Sequence, residues 1–379
     1  MGGWRSGDEE YAEVPRRRVR KRLFTSASIV VLAGLLLTLA FAPAVEASRT
    51  LYGGGSPATC TGDASSTINV LHAGSLSNLV KLGLAPAMKS SCGVTVTDQS
   101  GPAVQLAEEI KAGTLSGDVY MSADAHVNKT LMGERNGDWV RWYLAFARNE
   151  EVISYTPQSP FFAELEKARL GEIPWYKVLM EPGFVLGRTD PNTDPGGYYA
   201  LFVAELAQRY YGIPGLEQSL FGSVENPAEV LAPPAFTNTV SGAVPDATFG
   251  YLSSAIYSGS PYIALPPQIN LSDLNLARFY SQVSYTNNEG VTFRGAPIYD
   301  SVTVLQRSTN EQAAIDFVHL LLSPQGRQLV HADGFLDTPL LVGGDVSAVP
   351  SELRPFIQGR FEHGGGGRRH RHRHAARFR

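Results

Sequence analysis

Ser75 is the first residue of chemical interest. It stands in the run Ile68-Asn69-Val70-Leu71-His72-Ala73-Gly74-Ser75-Leu76-Ser77, an apolar stretch that breaks at small residues before a helical pattern. Read as strand, turn and helix, the run puts Gly74 at the tight turn and Ser75 at the helix N-cap. The free N–H groups of the first helical turn and the positive end of the helix dipole would then form an uncharged cup for an anion. A second run, Gly117-Asp118-Val119-Tyr120-Met121-Ser122-Ala123-Asp124, offers Ser122 as another hydroxyl donor. Asp124 reads as the cap of the helix that follows. A third run, Gly187 to Tyr198, is dense in turn formers and opens a helix near Tyr198. Alone it reads as a structural loop with Asx-turns. Together with the first run it reads as a helix end facing the same anion. Tyr251, near the end of a strand predicted over Asp246–Leu252, fits either a cleft phenol or a core tyrosine.

Catalytic readings find little. There is no G-x-S-x-G elbow and no phosphate-binding P-loop. His72, His126, His319, His331 and His363 are scattered, without metal-ligand spacing. His72 lies three residues before Ser75, which on a strand beside a turn is no nucleophile–base pair by itself. Neither an enzyme, a metal site nor a cofactor is expected.

The elements that must position these residues alternate between strand and helix. Strands are predicted at Ile68–Leu71, Val94–Asp98 and Asp118–Ser122. Helices are predicted at Leu76–Lys89, Val104–Ala112 and from about Ala125. Such alternation predicts parallel sheets flanked by helices, with ligands at the carboxyl ends of strands. Ser75, Ser122 and the Ser100-Gly101-Pro102 turn all fall at such ends. The chain is predicted to leave a first lobe near residue 152 and to return near 270. The expected fold is therefore α/β in two lobes, each a mainly parallel sheet flanked by helices, with two hinge crossings. Lobe 1 comprises 67–152 and 271–363, and lobe 2 comprises 153–270.

The ends read differently from this core. Residues 1–47 run from a basic stretch, Arg16 to Arg22, through an uncharged apolar stretch, Ala27 to Val45, to the small residues of Val45-Glu46-Ala47. That order is that of a secretory signal, with an uncleaved membrane anchor as the competing reading. The chain is thus expected outside the cytoplasm, secreted or periplasmic, or retained by the anchor. Residues 48–66 form a leader, and 364–379 a basic Arg/His tail with the composition of a disordered segment. The formal net charge is −4 even with both basic ends counted. The acidic core argues against nucleic-acid binding, which needs clustered Lys and Arg. Cys60 and Cys92, the two cysteines, form a candidate disulfide in an exported chain, with two buried thiols as the alternative.

The motifs His72-Ala73-Gly74-Ser75-Leu76, Gly117–Asp124 and Gly187–Tyr198, in this order after a signal, resemble the molybdate/tungstate-binding proteins of ABC importers. These are type II periplasmic binding proteins. The resemblance spans about residues 67–340 and includes Tyr262 to Leu271 and Leu321-Leu322-Ser323-Pro324-Gln325-Gly326. It implies a two-lobed trap that holds an oxyanion by serine hydroxyls and backbone N–H groups and delivers it to a membrane permease. It implies a monomer. Carried over residue by residue, it makes Ser75 the serine of the first loop, with Gly74 beside it. Gly196 becomes a backbone donor from the second lobe, Tyr251 a phenol donor, and Asp194 the aspartate that approaches the metal of the oxyanion. The chain departs from the pattern at Gly250, where a glutamate would complete six-fold coordination. It departs again at Ala103, where a serine is usual, and at Tyr199, where an arginine is often found. These departures weaken the choice of tungstate or molybdate over sulfate. A membrane-anchored sensory or scaffold protein with the same fold is the second reading, and a hydrolase the third.

Overall fold

The structure is a computed structural model, and it describes residues 60–231 and 244–361. The predicted signal or anchor (1–47), most of the leader, His363 and the Arg/His tail lie outside the described residues. Among those described, no helix is long and apolar enough to cross a membrane.

Strands are numbered in chain order. They are β1 (Thr67–Ala73), β2 (Thr95–Gly101), β3 (Val119–Ser122), β4 (Trp142–Arg148), β5 (Glu151–Tyr155), β6 (Leu186–Gly187) and β7 (Ala247–Tyr251). They continue with β8 (Tyr262–Ala264), β9 (Ser284–Thr286), β10 (Thr292–Arg294), β11 (Tyr299–Val304), β12 (Leu341–Gly344) and β13 (Gly359–Arg360). A seven-stranded sheet has the order β13-β12-β4-β11-β3-β1-β2, a four-stranded sheet β6-β7-β5-β8, and β9 pairs with β10 alone. The helices that matter here are α1 (Ala85–Cys92), α2 (Ala103–Ala112), α3 (Pro195–Tyr211), α4 (Glu311–Leu322) and α5 (Pro324–Ala332).

β1 runs parallel to β2 and β3, because each connection crosses over through helix. β3 is buried along its whole length, as expected where a strand is covered on both faces. The expectation of mainly parallel sheets needs correction. β11 is antiparallel to both β3 and β4, and β12 is antiparallel to β4. In the smaller sheet β5 is antiparallel to β7 and β8, and only β6 and β7 run parallel. The reason is the chain path. β11 and β12 enter the large sheet after the chain has returned from the small one, so no right-handed crossover sets their direction.

The chain passes between sheets at Asn149–Glu150 and returns at Asn270–Leu271, and the two passages lie side by side. The Glu151 N–H donates to the Asn270 carbonyl at 2.9 Å, and the Asn270 amide donates to the Glu150 carboxylate at 2.9 Å. Leu271 is fully buried and has φ of 60°, a conformation that a bulky residue holds only under pressure from its surroundings. Cys60 and Cys92 form a disulfide with Cα atoms 5.4 Å apart. Beside it, the N–H groups of Thr61 and Gly62 donate to Asp316 on α4 at 2.9 and 2.7 Å. The segment before β1 is therefore fastened at both α1 and α4.

Candidate functional site

Gly74, Ser75 and Leu76 form a 3₁₀ turn directly after β1, and the helical run continues through α1. The N-cap is Ala73 and no side chain caps the turn, so Ser75 sits in the first turn instead of at the cap. Its hydroxyl is left uncommitted. The Ser75 Oγ is buried and has no hydrogen-bond partner. Ser77 bonds Ser100 at 2.9 Å, which ties this turn to the end of β2.

The loop after β2 leads into α2. The first N–H groups of that helix, of Val104 and Gln105, both donate to the Thr193 carbonyl, at 3.0 and 3.1 Å. This helix end is thus closed by a loop that precedes α3. Tyr120 donates to the Ala103 carbonyl at 2.6 Å and holds the same turn from beneath.

At the end of β3 the expected donor is otherwise engaged. Ser122 donates to the Asp124 carbonyl at 2.8 Å and accepts the Asp124 N–H at 3.2 Å. Its one hydrogen is spent within the turn. Asp124 caps the next helical turn by accepting the His126 N–H at 2.7 Å, and it also accepts the Tyr198 hydroxyl at 2.7 Å. Burial works to raise the Asp124 carboxyl, but the His126 charge and the hydrogen bonds from His126 and Tyr198 outweigh it and hold it low.

The loop from Gly187 to Asp194 brings the opposite wall. Asp194 is the N-cap of α3, and its Oδ1 accepts the Gly196 N–H at 2.9 Å. Gly196 therefore donates to Asp194. A Cβ placed on Gly196 would lie 3.1 Å from Thr189 Oγ1, 3.5 Å from Asp194 Oδ1 and 3.8 Å from the Tyr251 ring. Those three side chains are thus gathered around one residue. At Gly197 a Cβ would lie 2.5 Å from the Pro191 nitrogen and the Thr189 carbonyl, so only glycine lets the loop lie against the helix. Thr189 Oγ1 and the Tyr251 hydroxyl, like Ser75, have no partner, and Tyr251 is 7% exposed. Burial, followed by the Asp194 charge, raises the Tyr251 phenol well above its usual range and keeps its proton in place. Burial likewise lifts the Asp194 carboxyl to about 6, against the pull of the Gly196 N–H. At Gly250 an added side chain would meet open space.

The sequence reading missed Thr189, whose hydroxyl is buried, and Glu151 and Asp300, which are buried whole. Glu151 and Asp300 carried a signal in the sequence, each being an acid within an apolar strand. Thr189 carried none beyond its loop. Among the described residues no group of histidine, cysteine and acidic side chains is placed to hold a metal ion. The arrangement offers hydroxyl donors and acids. Chemically it suits a small solute rich in acceptor oxygens.

Comparison with known proteins places the chain in a family. The family model of bacterial extracellular solute-binding protein matches residues 68–336. The molybdate/tungstate-binding protein WtpA of Pyrococcus abyssi is 31% identical over 335 residues, covering 81% of this chain and 93% of the relative. Its namesake from Thermococcus kodakarensis is 30% identical, covering 86% and 96%. Among solved structures, the sulfate-binding protein SubI from Mycobacterium tuberculosis superposes with a TM-score of 0.50 at 16% identity, covering 78% of this chain and 93% of that one. At that identity the likeness speaks to the fold alone, which is that of the type II periplasmic binding proteins.

Proposed function

The chain belongs to the bacterial extracellular solute-binding proteins, and we propose that it is the receptor of an ABC importer for a tetrahedral oxyanion, tungstate or molybdate. The observation that carries this reading is that three of the four buried hydroxyls without partners among the described residues are those of Ser75, Thr189 and Tyr251. A buried hydroxyl without a partner costs about 1–3 kcal/mol. Three at strand ends and helix starts are best understood as waiting for acceptor oxygens. Neutral donors also suit selection. A lysine or arginine would attract any anion, whereas fixed hydroxyls discriminate by size and geometry.

The metal-centred oxyanions are favoured by two further points. Two relatives that are 31% and 30% identical over most of both chains carry molybdate/tungstate-binding names. In addition, a carboxyl at Asp194 repels a plain dianion such as sulfate but can approach a large metal centre with open coordination positions. Ligand capture would proceed by hinge closure about the paired passages at 149–151 and 270–271. On this reading lobe 1 is 67–152 with 271–363 and lobe 2 is 153–270. The receptor works outside the cytoplasm, either free or held by residues 1–47.

Calorimetric titration of the protein with tungstate, molybdate, sulfate and phosphate tests the proposal. Tungstate or molybdate should bind with a dissociation constant below about 10 μM, equivalent to about −7 kcal/mol. If none of the four reaches that affinity, the receptor reading is wrong.

A further inference from the structure

Glu151 opens β5 and lies directly opposite Tyr251 in the antiparallel pairing with β7. Direct partners in such a pair project from the same face of the sheet. The Glu151 side chain therefore shares the face on which Tyr251 meets Tyr199 and the first turn of α3. Glu151 is fully buried, and neither carboxyl oxygen has a hydrogen-bond partner. Asp300, the second residue of β11, is also fully buried with both oxygens unpartnered.

The charged groups facing these acids are themselves acidic. Asp194 acts on Glu151, Asp124 acts on Asp300, and both Glu151 and Asp300 act on the phenols of Tyr199 and Tyr251. Among the described residues, the ion pairs formed by lysine, arginine and histidine reach neither Glu151 nor Asp300. A buried carboxylate without a partner is among the costliest groups a fold can hold. Burial first, and then the neighbouring acid, pushes both carboxyls well above the usual carboxylate range. As neutral acids they carry O–H groups that lack an acceptor, as does the Tyr251 hydroxyl beside them. The group that would satisfy all three at once offers several acceptor oxygens and no hydrogens.

We propose that Glu151 and Asp300 are specificity-determining ligands of the cleft, donating O–H hydrogen bonds to the oxygens of the bound oxyanion beside the Tyr251 phenol. The inference rests on the oxyanion reading above and deepens it. It explains how a cleft lined with acids holds an anion. It also makes capture depend on protons. Ionisation of either acid replaces a donor with a negative charge facing the ligand.

The test is titration with sulfate from about pH 5 to about pH 9 and with tungstate from about pH 7 to about pH 9, the ranges over which each stays a monomeric dianion, for the wild type and three variants. Wild-type affinity should fall with rising pH, by about tenfold per unit for each proton required. Glu151→Gln and Asp300→Asn each keep an N–H donor that cannot ionise, so each should flatten the profile. Asp194→Asn removes the step near pH 6 that this acid itself contributes, so the fall above about pH 7 should remain. Thermal unfolding of each variant without ligand checks that the fold persists. A pH-independent wild type overturns the inference while the oxyanion reading stands. So does a profile whose fall above about pH 7 is abolished by Asp194→Asn alone. Loss of tungstate with gain of sulfate in Glu151→Gln also overturns it, because the carboxylate would then be approaching the metal. Failure of every anion at every pH takes the oxyanion reading and this inference down together.

Discussion

The Tyr198 hydroxyl donates to the buried carboxylate of Asp124 at 2.7 Å, joining the first turn of α3 to the turn after β3. The ring of Tyr198 stacks on Phe293 at 4.5 Å between centroids, which fixes its direction. This bond links the residues that follow the four-stranded sheet's loop to those that follow a strand of the larger sheet. It therefore opposes their separation. Tyr198→Phe keeps the stacking and removes the hydrogen bond. A bond to a charged group contributes about 1.5–3 kcal/mol. The variant should bind oxyanion about tenfold or more weakly, and scattering should show a larger radius of gyration without ligand. Unchanged affinity would mean that the bond plays no part in closure.

Ser75→Ala and Thr189→Val each remove a hydroxyl that has no partner within the protein. If the hydroxyls serve the ligand, each change should weaken binding by about 1–3 kcal/mol while leaving the unliganded melting temperature the same or higher. A loss of stability with unchanged affinity would assign them to the fold.

Asp194 gives a pH prediction with a definite sign. Its folded value is raised to about 6 from 3.8. The folded protein thus binds more protons than the unfolded one between those values. The stability this contributes is present below about 4 and is lost as the pH rises through about 6, amounting to at most about 3 kcal/mol. Asp194→Asn keeps an oxygen for the Gly196 N–H and cannot ionise. It should unfold at higher denaturant than the wild type at pH 7.5, with the difference shrinking towards pH 4.

Gly197→Ala forces a methyl to within 2.5 Å of the Pro191 nitrogen and the Thr189 carbonyl. Backbone cannot yield as a side chain can, so the loop must shift. Overpacking of this kind costs about 1–3 kcal/mol. Binding should suffer as well, because Thr189 and Asp194 move with the loop. Chemical denaturation and titration of the same sample would separate the two effects.

The Cys60–Cys92 disulfide closes a loop with a sequence separation of 32. Removing it by paired serine substitutions should cost about 3–4 kcal/mol through freedom gained by the unfolded chain. The bridge lies before β1 and at the end of α1, away from the unpartnered hydroxyls. Oxyanion affinity at low temperature should therefore change by less than about threefold, measured below the onset of unfolding.

Local patterns were legible in the sequence because they depend on neighbours along the chain. The strand before Ser75 and the helix over Val104–Ala112 could both be read from apolar spacing and turn formers, and each appears in the structure. Only tertiary structure decided which hydroxyls are free. Ser122 and Ser75 look alike in sequence, each following a strand, yet Ser122 is spent on Asp124 whereas Ser75 has no partner. Strand direction was hidden for the same kind of reason, since β11 joins its sheet after a long excursion and its direction depends on where the chain returns. Glu151 and Asp300 show the difference most plainly. Sequence alone records two acids, each within an apolar strand. Packing is what takes them out of water and sets Glu151 opposite Tyr251.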